Sequence, residues 1–152
     1  MKSFSIFIVI FILILLVYSF SDAASMSKII AKDDHYVSYE NGIVYDEKTN
    51  LEWIVGSDKD TIWDEAKAWV ESLSVEGGGW RMPTRKELAS LYQKGFGKRN
   101  MDPAFKTTGW YVWAGPRSSR TAWGFNFTFG IDGWSYLDDS STRRGFAVRS
   151  RI

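Results

Sequence analysis

The pattern of apolar positions changes character three times along this chain. Phe4 to Phe20 is an almost unbroken apolar run of 17 residues, relieved only by Ser5, Tyr18 and Ser19. Residues 24–41 are polar and mixed and predict an extended lead-in. Short β-branched and aromatic runs follow at Ile43 to Asp46 and Leu51 to Val55, with turn-forming residues Glu47 to Asn50 between them, so a hairpin is expected. The spacing then becomes helical. Trp63, Ala66, Trp69, Val70 and Leu73 share one face, Asp60 or Thr61 can cap its start, and Asp64 and Glu65 sit in the first turn, where negative charge is favoured. Lys67 and Glu71 can pair on the other face, and Gly77 to Gly79 end the element.

A second helix is announced by three local rules acting together. Pro83 biases Met82 toward an extended conformation. Thr84 and Glu87 have the spacing of a capping box. Leu88, Leu91 and Tyr92 then supply an apolar face, with Gly95 as the stop. From Trp110 the period drops to two. Trp110 to Trp113 reads as a strand and Ala114 to Thr121 as a loop. Trp123, Phe125, Phe127 and Phe129 alternate with Gly124, Asn126, Thr128 and Gly130 as a half-buried strand. A turn at Ile131 to Gly133 leads to a partner strand, Trp134 to Leu137. Asp138 to Arg144 is a polar loop, and Phe146 to Ile152 is the closing strand. A hairpin, two helices and a terminal antiparallel region make an α+β fold.

The remaining composition sharpens this picture. Lys2 ahead of the apolar run and Ser21-Asp22-Ala23 behind it fit a secretory signal peptide, residues 1–23, with cleavage after Ala23. The alternative is an uncleaved membrane anchor, at the short end of what a spanning helix needs. Export places the protein in the periplasm or outside the cell. The chain holds no Cys, so it must fold there without disulfides, through the packing of a core rich in tryptophan. Residues 24–79 carry 5 Lys/Arg against 12 Asp/Glu, a net of −7, whereas residues 80–152 carry 13 against 5, a net of +8. The halves can neutralise each other in one domain, or the second half can present a basic surface. An exported chain with this balance is not expected to bind nucleic acid.

Candidate chemistry is sparse. His35 is the lone histidine, in the polar lead-in, without a serine and acid placed for a triad. Asp58-Lys-Asp60 lacks the glycine and the closing glutamate of a calcium loop. Asp132, Asp138 and Asp139 could gather at one end of the sheet around calcium, but aspartates in turns are ordinarily solvated. No metal or cofactor is expected, and no catalytic residue. An enzyme acting on envelope glycans could use carboxylates such as Asp138 and Asp139 as an acid–base pair, but neighbours on an extended loop usually point apart. The best ligand-binding constellation is Arg117, Arg120, Arg143 and Arg144 in two loops, with Trp134 and Tyr136 between them in sequence. Guanidinium forks suit carboxylate or sulfate, and exposed aromatics stack on sugar rings.

Several segments together resemble one family, the Lcl C-terminal-like domain, named after the end domain of a bacterial collagen-like adhesin. They are Val44-Tyr-Asp46, Thr49-Asn-Leu-Glu-Trp53, Trp63-Asp-Glu-Ala66, Gly78-Gly-Trp-Arg-Met-Pro-Thr84, Glu87-Leu88 and Gly145-Phe-Ala-Val-Arg149. The resemblance covers residues 42–152. It implies a C-type lectin-like fold and a binding module of the bacterial envelope. An acidic or sulfated polysaccharide, or a protein, would be its partner, and a membrane would be touched only through an uncleaved signal segment. The paired cysteines of many members and the sugar-binding signatures of calcium-dependent lectins are missing.

Overall fold

Buried arginine and glutamate residues, rather than apolar contacts alone, determine how the two halves of this chain meet. The computed structural model describes residues 27–151, so the signal-peptide expectation for residues 1–23 lies outside the described residues. Among the described residues, no helix is long and apolar enough to cross a membrane. The fold is α+β.

The first sheet has the order β1-β2-β3-β4-β9, each pair antiparallel. Its strands are β1 (Ile29–Asp33), β2 (Tyr36–Tyr39), β3 (Ile43–Asp46), β4 (Leu51–Val55) and β9 (Phe146–Ser150). The expected hairpin forms between β3 and β4. Asp46 makes its turn by accepting from the Lys48 amide at 2.9 Å and the Thr49 hydroxyl at 2.6 Å. The lead-in is more than an approach to the domain: it is a second hairpin, β1–β2. Every residue of β1 is exposed, so its polar composition reflects an edge strand, while Tyr36 and Val37 of β2 are buried.

The second sheet has the order β7-β6-β5-β8, from β5 (Tyr111–Pro116), β6 (Thr121–Asn126), β7 (Ile131–Tyr136) and the short β8 (Arg143–Arg144). The expected strand of alternating phenylalanines stops at Asn126, and the turn falls at Phe127 to Gly130 instead of Ile131 to Gly133. One local and one distant contact accompany this. The Asn126 side chain accepts from the Thr128 amide at 2.9 Å. Gly130 takes φ +70 beneath the Tyr92 ring, where a Cβ would stand 2.4 Å from ring carbon.

Between the sheets in sequence lie α1 (Trp63–Ser72) and α2 (Arg85–Ser90). The capping box of α2 forms as the sequence predicts: the Glu87 amide donates to the Thr84 hydroxyl at 3.2 Å, and the Thr84 amide to the Glu87 carboxylate at 2.7 Å. The helix ends at Ser90 with Leu91 as its cap, short of Gly95. α1 begins without a side-chain cap, its N-cap position being Ile62. The expected caps are engaged elsewhere: the Thr61 hydroxyl donates to Lys59 O, and Asp60 accepts from Arg144.

The core fills both faces of the first sheet. One face (Tyr36, Val44, Trp53, Phe146, Val148) packs against Leu88 and Leu91 and against Val112, Ala114 and Phe125 of the second sheet. The other (Ile43, Ile54, Ala147) packs against Val70 of α1 and Trp80. Residues 146–149 of β9 are therefore buried on both sides, including Arg149. Its guanidinium donates through Nε to Glu52 Oε2 at 2.8 Å and through Nη1 to the carbonyls of Glu76 (2.8 Å) and Gly78 (2.6 Å), and it lies 4.4 Å over the Trp80 ring. Glu76 to Gly79 all have positive φ, which turns these carbonyls inward, and this is what the three glycines are for.

Removing the guanidinium leaves the buried Glu52 carboxylate with only the 3.8 Å approach of Arg151, and the Glu76 and Gly78 carbonyls without their donor. Arg149→Ala is expected to lower unfolding free energy by about 3–5 kcal/mol in urea titrations. Trp80→Ala should cost about 3–5 kcal/mol as a core aromatic. Because the two side chains stack, the double variant should lose less than the sum of the single losses. A near-neutral Trp80→Ala would remove Trp80 from the core assignment.

Candidate functional site

β7 is an edge strand, and through its pairing with β6 its Asp132 and Trp134 stand on the same face of the second sheet as the buried Phe125 and Val112, at that face's open margin. Asp132, Trp134 and Tyr136 share one side. Trp134 is 49% and Tyr136 59% exposed, and their rings meet edge to face at 5.8 Å. Across the ladder, Trp134 pairs in register with Trp123 of β6, which is half-buried. Arg117, in the β5–β6 loop, places its guanidinium 5.0 Å from the Trp134 ring centre and 5.3 Å from that of Trp123. Arg85, the first residue of α2, lies 3.9 Å over Trp123 and donates to Asp132 at 2.6 Å. The result is a ladder of alternating charge and π-face, Arg85–Trp123–Arg117–Trp134, with Tyr136 at its open end.

Of the six residues singled out in the sequence, the structure unites Arg117, Trp134 and Tyr136. Arg120 sits in the same loop, which is fastened to the end of β7 by the Leu137 amide donating to Arg120 O at 3.1 Å; its side chain is exposed. Arg143 and Arg144 do not join them. Arg143 is on the other side of the sheet, over the Tyr111 ring at 4.7 Å, and is held by Asp139 (2.8 Å), Ser135 (2.7 Å) and Ser141 O (2.7 Å). The Arg144 side chain is 7% exposed and locks three segments together: Nε donates to Asp58 at 2.8 Å, Nη1 to Asp60 at 2.8 Å and Nη2 to Thr108 at 2.9 Å. It is buried and its donors are spent on its own chain.

Sequence reasoning missed Arg85 and Trp123. Arg85 had no signal beyond its place after a capping threonine. Trp123 carried one, as the single residue of the alternating set with a tryptophan partner across the ladder, but that pairing requires the strand register.

Other candidates resolve differently from expectation. His35 is partly buried. Its side chain is 13% exposed, with Nδ1 2.6 Å from Asp34 and Nε2 3.6 Å from Asp46, and its ring lies against Tyr36. Asp132 and Asp139 do not meet at one end of the sheet, since β7 runs between them, about 3.3 Å per residue. Each is committed to an arginine, Arg85 and Arg143 respectively. Among the described residues, no group of three or more potential metal ligands converges. The acidic and basic halves do neutralise each other in part, through Arg149–Glu52 and Arg144 with Asp58 and Asp60.

A family model described as the Lcl C-terminal domain matches residues 42–149. No curated protein and no solved structure matches this chain. The matched span contains both the structural arginine sites and the Arg85–Trp134 ladder.

The Arg144 lock has a pH signature. Burial raises the Asp58 carboxyl, but donors from Arg144 and Thr108 outweigh this and hold it at about 2. The ordinary value in an unfolded chain is about 3.9. A depressed folded value means that ionised Asp58 stabilises the fold fully above about pH 4, and that this contribution is lost as pH falls toward 2. Asp58→Asn is therefore expected to melt below the parent at neutral pH, with the gap closing on acidification. Thermal unfolding across this range checks it. A gap independent of pH would assign Asp58 a purely neutral hydrogen-bonding role.

Proposed function

The chain belongs to the Lcl C-terminal domain family, and from that premise we propose that it is an exported bacterial binding module with a C-type lectin-like fold and no catalytic role. Its ligand is an anionic polysaccharide held by the exposed tryptophan–arginine ladder. The observation that carries this reading is the position of Arg117. Its guanidinium lies over the neighbouring Trp123 and Trp134 rings, and its one side-chain hydrogen bond among the described residues is a long 3.5 Å approach to the Thr121 hydroxyl. A guanidinium stacked in this way is fixed in orientation while its donor edge stays available for a carboxylate or sulfate. Trp134 and Tyr136 beside it offer ring faces to the sugar. Export rests on the apolar run and small residues of segment 1–23. The absence of catalysis is supported by Asp139, which is engaged by Arg143 and Ser135 and so is not a free partner for Asp138.

A second reading has its own support. β7 is an unpaired edge with Ile131 58% exposed, and such an edge can accept a strand of a protein partner or of an envelope assembly.

A glycan array probed at low and moderate salt, with and without calcium, separates the two. Binding to uronic-acid or sulfated glycans is expected to weaken with salt and to survive a chelator. Arg117→Ala should weaken it by about ten- to a hundredfold. Arg117→Lys should restore only part, because the fork is lost. Trp134→Ala should reduce affinity without changing the salt dependence. A blank array from folded protein would favour the β7-edge partner, and calcium-dependent binding would overturn the arginine-based reading.

A further inference from the structure

Away from the ladder, two loops are tied into a single tip. After α2 the chain folds back on itself: the Gln93 amide donates to Asn100 O at 2.7 Å, and the Gly95 amide to Asn100 Oδ1 at 2.9 Å. The Asn100 side-chain amide then donates to the Phe127 carbonyl at 2.7 Å, and Tyr92 closes over Gly130. The loop from Gln93 to Asn100 and the turn from Phe127 to Gly130 are thus one unit.

This unit and the first residue of β7 beside it hold apolar side chains out into water. Phe129 is 69%, Ile131 58% and Phe96 43% exposed. Phe96 stands between Gly95 and Gly97, both with positive φ, so no neighbouring side chain shields it. Lys94 and Lys98 flank it, exposed and without an ion pair among the described residues. Negative charge is nearly absent from this part of the chain: between residues 88 and 131 the one carboxylate is Asp102, which is 2% exposed.

We infer that this tip docks onto an anionic lipid bilayer, with Phe96, Phe129 and Ile131 entering the interface and Lys94 and Lys98 meeting lipid phosphates. A few inserted apolar side chains hold a protein weakly, and a few lysines likewise; the two together give stable but reversible association. A polysaccharide fits the tip less well. Its phenyl groups stand on separate loops and form no flat stacking platform of the kind Trp134 and Tyr136 offer. Docking here leaves the ladder residues out of the contact and fixes the domain close to a membrane surface.

The cysteine-free chain allows a site-specific test on the full-length protein. Thr128→Cys carries an environment-sensitive dye at the tip, and Glu65→Cys carries the same dye on α1. With mixed phosphatidylglycerol–phosphatidylcholine vesicles at low salt, the tip dye is expected to shift to the blue while the α1 dye does not. Pure phosphatidylcholine should shift neither. Lys94→Gln and Lys98→Gln should each weaken the response about fivefold. Phe129→Ser should remove the shift, and Arg117→Ala should leave it intact, which separates this surface from the ladder. Because two positions on one chain are compared, binding through another segment cannot mimic the result. The inference is overturned by a tip dye that stays water-like on anionic vesicles, by an equal shift on neutral ones, or by a shift of both dyes together. A water-like tip dye, with lysine variants that lose binding to a soluble polyanion, assigns the patch to a polysaccharide instead.

Discussion

The contact between Arg149 and Glu52 is the constraint on which the rest of the structure depends. Both side chains are buried, on neighbouring strands at the centre of the fold. Burying an ion pair is ordinarily a poor way to gain stability, because desolvation offsets the attraction. Here the arginine does more than meet a carboxylate. Through the carbonyls of Glu76 and Gly78 it shapes the left-handed loop after α1, and through the Trp80 face it places the residue from which the chain enters α2. One guanidinium thus sets the path between the first helix and the second. Its specificity comes from the number of separate segments it satisfies at once.

The residues that make the family resemblance legible are largely these same structural parts. Glu52, Trp53, the Gly78–Gly79 pair, Trp80, Thr84, Glu87 and Arg149 build the β4–β9 junction, the loop and the capped helix. None of them lies in the exposed ladder. These residues hold the scaffold, while Trp123, Arg117 and Trp134 stand apart from them in the ladder on the second sheet.

What the sequence disclosed, and what it withheld, divides along the range of the interactions. The β3–β4 hairpin and the α2 cap depend on residues within four positions of one another, and both were legible. The turn at Phe127 to Gly130 was misplaced because alternation of phenylalanines continues past Asn126, while the decisive contact is Tyr92, far back in the chain. The fate of Arg144 was hidden for a similar reason: its partner Asp58 lies 86 residues away. The sequence could mark arginines in loops but not which of them would find a carboxylate. The β1 strand escaped notice because a strand exposed along its whole length has no apolar alternation to detect.

The tryptophans show the same division between scaffold and surface, and they answer the question raised by an exported fold without disulfides. Trp63 donates its indole N–H to Ala114 O at 2.8 Å, Trp113 to Thr61 O at 2.8 Å and Trp80 to Val75 O at 3.0 Å. The first two bonds join segments 51 and 52 residues apart, so each buried ring both fills the core and ties distant backbone to it. Trp53, wholly buried, fills the core without such a tie, its N–H lacking a partner among the described residues. Trp134 belongs to neither group. It is half-exposed on an edge strand and flanked by a guanidinium. Where Trp63, Trp80 and Trp113 tie backbone into the scaffold, Trp134 keeps a half-exposed ring at the sheet's edge, set opposite Trp123 by the strand register and beside the Arg117 guanidinium.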